Sequence, residues 1–197
     1  MNRLKIVLAA LLAALISVSA ATPTMANLFY NPDTNQWEER VISPHGHGHY
    51  TPIPRSTVPY GGKYKPGTII VETAERRLYF VLPGGEAIKY GIGVGRDGFR
   101  WSGQHTISRK AEWPGWTPPA EMRRRVPDLP AYMPGGPDNP LGARALYIGA
   151  TLYRLHGTSE PWTIGQAVSS GCIRLTNEDI IDLYERARVG SLVVVHQ

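Results

Sequence analysis

Cysteine is nearly absent from this 197-residue sequence: Cys172 stands alone, so the chain cannot close a disulfide on itself. Long apolar runs are missing too. The extended run from Ile6 to Ile16 is too short to cross a bilayer of about 30 Å as a helix, which argues against a permanent membrane anchor there. Charge of one sign is also scarce. The formal net charge is +5 and falls to +3 without Arg3 and Lys5, so charge gives no case for nucleic acid as a partner. The densest basic run, Arg123-Arg124-Arg125, reads as a solvated loop face, with attraction to an anionic polymer left open.

What is present at the N-terminus is the pattern of a secretory signal peptide over residues 1–26. Arg3 and Lys5 precede the apolar run, and small residues follow it. Cleavage after Ala20, Ala21 or Ala26 satisfies the small-residue preference equally. Export sharpens the meaning of Cys172. Exported proteins usually pair their cysteines, so one left over is an intermolecular bond, an inert buried thiol or a reactive one.

Residues 27–66 carry Pro44, Pro52, Pro54, Pro59 and Pro66 with little apolar periodicity, the composition of a linker or arm. The repeat His45-Gly46-His47-Gly48-His49 offers imidazoles, but it has no neighbouring carboxylate or thiolate, so it reads as linker and no metal is expected. The folded domain is expected over residues 67–197. Strand-like runs rich in β-branched and aromatic residues span Thr68 to Thr73, Arg77 to Leu82, Ala87 to Val94, Thr106 to Lys110, Ala145 to Ile148, Thr151 to Leu155, Cys172 to Leu175 and Ser191 to His196. Pro83-Gly84-Gly85 marks a hairpin turn. So many short strands predict a mainly β, mostly antiparallel sandwich or barrel. One helix is well marked: Thr176 opens a capping-box pattern, Ile180, Leu183, Tyr184 and Ala187 recur at helical spacing, and Gly190 ends it.

Between Ala111 and Gly142 lie eight prolines with Trp113, Trp116, Tyr132 and Met133, and no clear strand or helix. A segment this long inside a compact domain reads as a lid or binding loop. Its aromatic residues form a mini-core or line a substrate groove. Gly93-Val94-Gly95-Arg96-Asp97-Gly98 matches dinucleotide-binding spacing, but Phe99 to Gly103 does not read as the helix that such a fingerprint needs. These glycines therefore read as strand and turn residues, and no cofactor is expected.

The strongest chemical signal is His156-Gly157-Thr158 followed after a loop by Ser169-Ser170-Gly171-Cys172-Ile173-Arg174-Leu175. A thiolate is the nucleophilic form of cysteine, and forming it near neutral pH takes a base or cation beside the thiol. His156 suits that role, with an ordinary pKa of about 6.5. Gly171 allows a tight turn where backbone N–H groups can stabilise an oxyanion, and Ser169 and Ser170 hydrogen-bond to that turn or to substrate. Arg174 shares a strand face with Cys172, which would let it bind a substrate carboxylate and favour the thiolate.

On these residues, 67–197 resemble the catalytic domain of the L,D-transpeptidase (YkuD) family, whose signature is a histidine followed after a loop by Ser-His-Gly-Cys and often an arginine. The early strands and Trp113-Pro114-Gly115-Trp116-Thr117-Pro118-Pro119 resemble the family as well. One departure is visible: Ser170 replaces the signature's second histidine. The resemblance implies that Cys172 is the nucleophile and His156 the proton carrier. It implies that Gly171 and Gly157 shape the site and that Arg174 and Ser169 bind substrate; Ser170 joins the site-shaping candidates by its place in the turn, and Tyr132, Met133 and Trp116 join the substrate-binding ones as residues of the long loop. The implied substrates are peptidoglycan stem peptides: Cys172 attacks the third-residue carbonyl, diaminopimelate, and D-Ala leaves. The acyl group then passes to a stem-peptide amine, to an outer-membrane protein or lipoprotein, or to water as in an L,D-carboxypeptidase. A non-catalytic wall-binding module is the reading of another class, and retention of both Cys172 and His156 speaks against it. Export to the periplasm is the expected location.

Overall fold

The computed structural model describes residues 27–31, 36–40, 53–97, 101–125 and 127–197. The signal-peptide segment 1–26 and the His45 to His49 repeat lie outside the described residues. In chain order the strands are β1 (Asn27–Asn31), β2 (Gln36–Arg40), β3 (Ser56–Pro59), β4 (Ile69–Glu72), β5 (Arg77–Leu82), β6 (Glu86–Gly91), β7 (Val94–Gly95), β8 (Gly103–Glu112), β9 (Arg144–Ile148), β10 (Arg154–His156), β11 (Ala167–Ser169), β12 (Ile173–Arg174) and β13 (Leu192–His196). The helices are α1 (Ala120–Arg125) and α2 (Asn177–Arg186).

Nine strands form one sheet in the order β12-β10-β9-β8-β13-β4-β5-β6-β3. It is mixed rather than purely antiparallel, since β13 runs parallel to β4 and β10 runs parallel to β12. Central strands explain the first of these. Ile69, Ile70 and Val71 in β4 and Val193, Val194 and Val195 in β13 are all buried, a continuous β-branched run that suits a strand covered on both faces. The sheet also curls toward itself. Gly93, just past β6, exchanges two backbone hydrogen bonds of 2.9 Å with Arg174 at the β12 edge, and β7 pairs with β11 beside it. The result is barrel-like, as the strand pattern predicts.

α2 packs Ile180, Leu183 and Ala187 into the main core. Its start follows the capping expectation, with Thr176 Oγ1 accepting from the Asp179 N–H at 3.2 Å. Its end comes earlier than the sequence suggests: the helix stops at Arg186, and the Lys110 ammonium donates to the Ala187 carbonyl at 2.8 Å. Gly190 belongs to the turn that follows.

Two expectations change. The arm predicted through Pro66 already enters the sheet at Ser56–Pro59, which pairs antiparallel with β6, and Asn27–Arg40 holds the β1–β2 hairpin. Pro59 is tolerated because β3 is the sheet's edge, where a missing N–H breaks no ladder. The irregular stretch 111–142 contains α1, so Arg123 and Arg124 sit exposed on a helix rather than on a loop. Trp116, Met122, Leu129 and Leu141 form a second small core there, with Met133 packed against it. Trp116 and Met133 also exchange two backbone hydrogen bonds of 2.8 Å. Asn139, almost fully buried, fastens this lid by donating to the Met133 and Pro134 carbonyls and accepting from the Leu141 N–H.

Candidate active site

The parallel β10–β12 ladder brings the two chemical segments together. Leu155 pairs with Ile173 and His156 with Arg174, so Cys172, one residue before β12, lies abreast of Arg154. Leu155 and Ile173 point into the core, and alternation sends Arg154, His156, Cys172 and Arg174 to the opposite face. That face opens into a cavity of about 690 Å³. Trp116 to Ala120, Met122 and Arg123 form one wall, and Leu152 to Arg154, His156, Ser169, Ser170 and Cys172 form the other. Among the described side chains, no aspartate or glutamate lines it.

His156 is buried, and its Nδ1 lies 2.6 Å from the Gly157 carbonyl oxygen. A carbonyl only accepts, so Nδ1 carries the proton and Nε2 keeps its lone pair as the acceptor for a proton. Burial pushes the His156 pKa down to about 3, with the Arg154 guanidinium acting in the same direction and the Gly157 bond opposing. Burial likewise raises the Cys172 thiol, while Arg154 acts to lower it. Sγ lies 4.0 Å from the Leu152 carbonyl oxygen, a geometry for a weak S–H donor. Both shifts favour the uncharged forms, a thiol and a neutral imidazole.

The turn before Cys172 is locked locally. Gly171 has φ of +103°, a conformation that costs any other residue, and the Ser169 hydroxyl donates to the Cys172 carbonyl at 2.6 Å. The same oxygen accepts the Gly171 N–H at 3.2 Å. Gly171 thus shapes the turn with its N–H engaged, and Ser169 takes the turn-bonding role that the sequence allowed. Gly157 also has a structural reason. A Cβ there would collide with Asn177 Oδ1, the group that accepts the Ala143 N–H at 2.9 Å.

Arg174 is held in a buried ion pair. Its guanidinium is 2% exposed and paired with the equally buried Glu160 at 3.0 Å, with a further bond to Thr163 Oγ1 at 3.2 Å. Although it borders the cavity, it clamps the 157–166 loop to β12 rather than presenting a charge to substrate. Of the three lid residues expected to bind substrate, Trp116 lines the cavity, whereas Tyr132 and Met133 do not. Tyr132 is exposed, and Met133 belongs to the lid's small core. Ser170 does line the cavity, and its buried hydroxyl has no hydrogen-bond partner among the described residues.

Sequence reasoning missed Trp101, Tyr153, Arg154 and Glu160. The Trp101 indole N–H donates to the Gly171 carbonyl at 2.8 Å and its ring stacks on Tyr153, with centroids 4.5 Å apart and planes 3° from parallel. This props the nucleophile turn from behind. Arg154 was legible in principle, because it precedes His156 by two on one strand and so shares its face. Trp101 and Glu160 carry no such signal, since their contacts join segments distant in sequence.

The L,D-transpeptidase catalytic domain (YkuD) family model matches residues 66–195. Among curated proteins, the chain is 43% identical over 134 residues to the probable L,D-transpeptidase ErfK/SrfK of Escherichia coli (strain K12), covering 64% of this chain and 43% of that protein. The chain thus spans under half the length of that relative. Among solved structures it is 46% identical to a protein described as a probable carnitine operon oxidoreductase caia from Brucella melitensis, with a TM-score of 0.50 over 73% of this chain and 93% of that one. The oxidoreductase name finds no echo in the glycine motif here, because Gly93-Val94-Gly95 runs into β7 and not into a helix. The fold is shared with L,D-transpeptidase 3 from Mycobacterium tuberculosis in complex with a faropenem-derived adduct, at a TM-score of 0.52, 18% identity and coverage of 66% and 60%. The family model covers well over half of the chain, and the chain belongs to the L,D-transpeptidase catalytic domain (YkuD) family.

Proposed function

We propose that this chain is an exported acyltransferase of peptidoglycan remodelling, with Cys172 as nucleophile and His156 as proton carrier. The observation that carries the reading is the fixed imidazole. His156 holds Nδ1–H on the Gly157 carbonyl, which leaves Nε2 as the base in the cavity that Cys172 also lines. Sγ attacks the carbonyl carbon of the third stem-peptide residue, diaminopimelate, as the thiol proton passes to Nε2. The C–N bond to the terminal D-Ala breaks, and the proton leaves with the amine. An acceptor amine then attacks the thioester, gives up a proton through His156, and releases Cys172 as the thiol.

The burial that lowers the His156 pKa makes a free imidazolium costly, so proton transfer is coupled to attack rather than preceding it. Ser170, standing where the family signature has histidine, offers its unpaired hydroxyl to the acyl group or the acceptor and is the residue we assign to acceptor choice. The acceptor is a second stem peptide or an outer-membrane protein or lipoprotein. The signal-peptide pattern of residues 1–26 supports a periplasmic site of action.

Incubation of the protein with a purified disaccharide tetrapeptide tests the reading. A cross-linked dimer with release of D-Ala is expected, and a tripeptide product alone would assign a carboxypeptidase. No turnover by folded protein would refute it. Cys172→Ala should abolish both products, and His156→Ala should slow acylation by about 10²- to 10⁴-fold.

A further inference from the structure

Arg154 is the cation nearest in register to the nucleophile, and its surroundings leave it a task. It lies abreast of Cys172 across the β10–β12 ladder and two residues before His156 on the same face, and its side chain lines the cavity. Its guanidinium carbon stands 5.5 Å from the centre of the Tyr147 ring, on the neighbouring strand β9. Among the described residues no carboxylate lies within ion-pair distance of it, and its buried Nε has no hydrogen-bond partner. Arg174 on the adjacent strand shows the contrast: its charge is met by Glu160. Among the described side chains that line the cavity, none is an acid. A guanidinium in that position is a receptor for an anion brought by the ligand, and its planar fork matches a carboxylate.

Resting on the proposed function, we infer that Arg154 binds the terminal carboxylate of the donor's leaving residue and thereby restricts attack to the last peptide bond of the stem. The chemistry sets the scale. In a donor cleaved before its last residue, the terminal carboxylate carbon is two bonds beyond the scissile nitrogen. Neighbouring strands are about 4.8 Å apart, so a side chain abreast of Cys172 reaches that position while Sγ faces the carbonyl. An internal peptide bond has an amide there and leaves the cation unpaired, which is the basis of discrimination.

The test compares kcat/KM for a tetrapeptide donor and for the same donor amidated at its terminal carboxylate, in the wild type, Arg154→Gln and Arg154→Lys. A third donor, amidated on the diaminopimelate side-chain carboxylate, separates the two acidic groups. The wild type is expected to prefer the free terminal carboxylate over its amide by about 10- to 100-fold. Arg154→Gln should bring that ratio close to one, with Arg154→Lys between. Both donors use the same thiol, so any effect of Arg154 on Cys172 cancels in the ratio. An unchanged ratio in a folded Arg154→Gln protein overturns the assignment. So does a loss confined to the side-chain amide. If Arg154→Gln fails to fold, the lysine variant decides, and a wild-type ratio there overturns the assignment. Equal wild-type turnover of both donors refutes Arg154 alone, whereas no turnover of either donor refutes the proposed function.

Discussion

Replacing Glu160 by glutamine removes one charge from a pair sealed inside the protein while keeping the shape of the side chain. Arg174 and Glu160 are each 2% exposed and meet at 3.0 Å, so water cannot take over the orphaned guanidinium. Breaking such a pair from one side costs about 3–5 kcal/mol, most of it the penalty of an uncompensated buried charge. Arg174→Met leaves a carboxylate that can protonate, so its cost should fall at or below that range. The double variant removes both charges and should be cheaper than the two singles added together by about 2 kcal/mol. Urea unfolding at pH 7, followed by circular dichroism, reads all three values. Acylation should fall in Glu160→Gln as well, since Glu160 lies three residues after the glycine that holds His156 in place. A loss of under about 1 kcal/mol in Glu160→Gln, or strict additivity in the double variant, would refute the view that this pair anchors the catalytic loop.

Two further predictions concern the resting thiol and the lid. With the Cys172 pKa raised and that of His156 lowered, alkylation by iodoacetamide should climb through a single inflection above the ordinary thiol value of about 8.5, and a plateau extending down to pH 5 would reveal a thiolate–imidazolium pair instead. Asn139→Ala strips three hydrogen bonds from the lid, so hydrogen exchange of residues 127–142 should quicken and KM should rise, while the iodoacetamide rate stays as in the wild type; unchanged exchange would dismiss the role of Asn139.

Local pattern carried much of this molecule. Strand positions followed β-branched runs, α2 followed its cap and its apolar spacing, and the strand that ends at His156 lies beside the one that begins just after Cys172. Where reading by pattern failed, the missing information was long-range. Arg174 shared a strand face with Cys172, as alternation requires, but alternation says nothing of an acid fourteen residues away that claims its charge. The lid hid α1 among prolines because its stability comes from Trp116, Leu129 and Leu141 packing around Met122, not from helical periodicity. β3 was concealed in a proline-rich arm for the same reason: an edge strand needs only a neighbour to pair with, and that neighbour, β6, lies beyond a turn and two strands.

The parallel β10–β12 ladder has a consequence for how such a protein can diversify. Because backbone pairing and the Arg174–Glu160 clamp fix both ends, the connection between Pro161 and Val168 does not set the spacing of His156 and Cys172. Thr163 and the Gly165 and Gln166 backbone tie that connection to Arg174, Ile92 and Val94, so its length is held while an exposed side chain such as Gln166 is free to vary. Change at such a position leaves the β10–β12 register untouched.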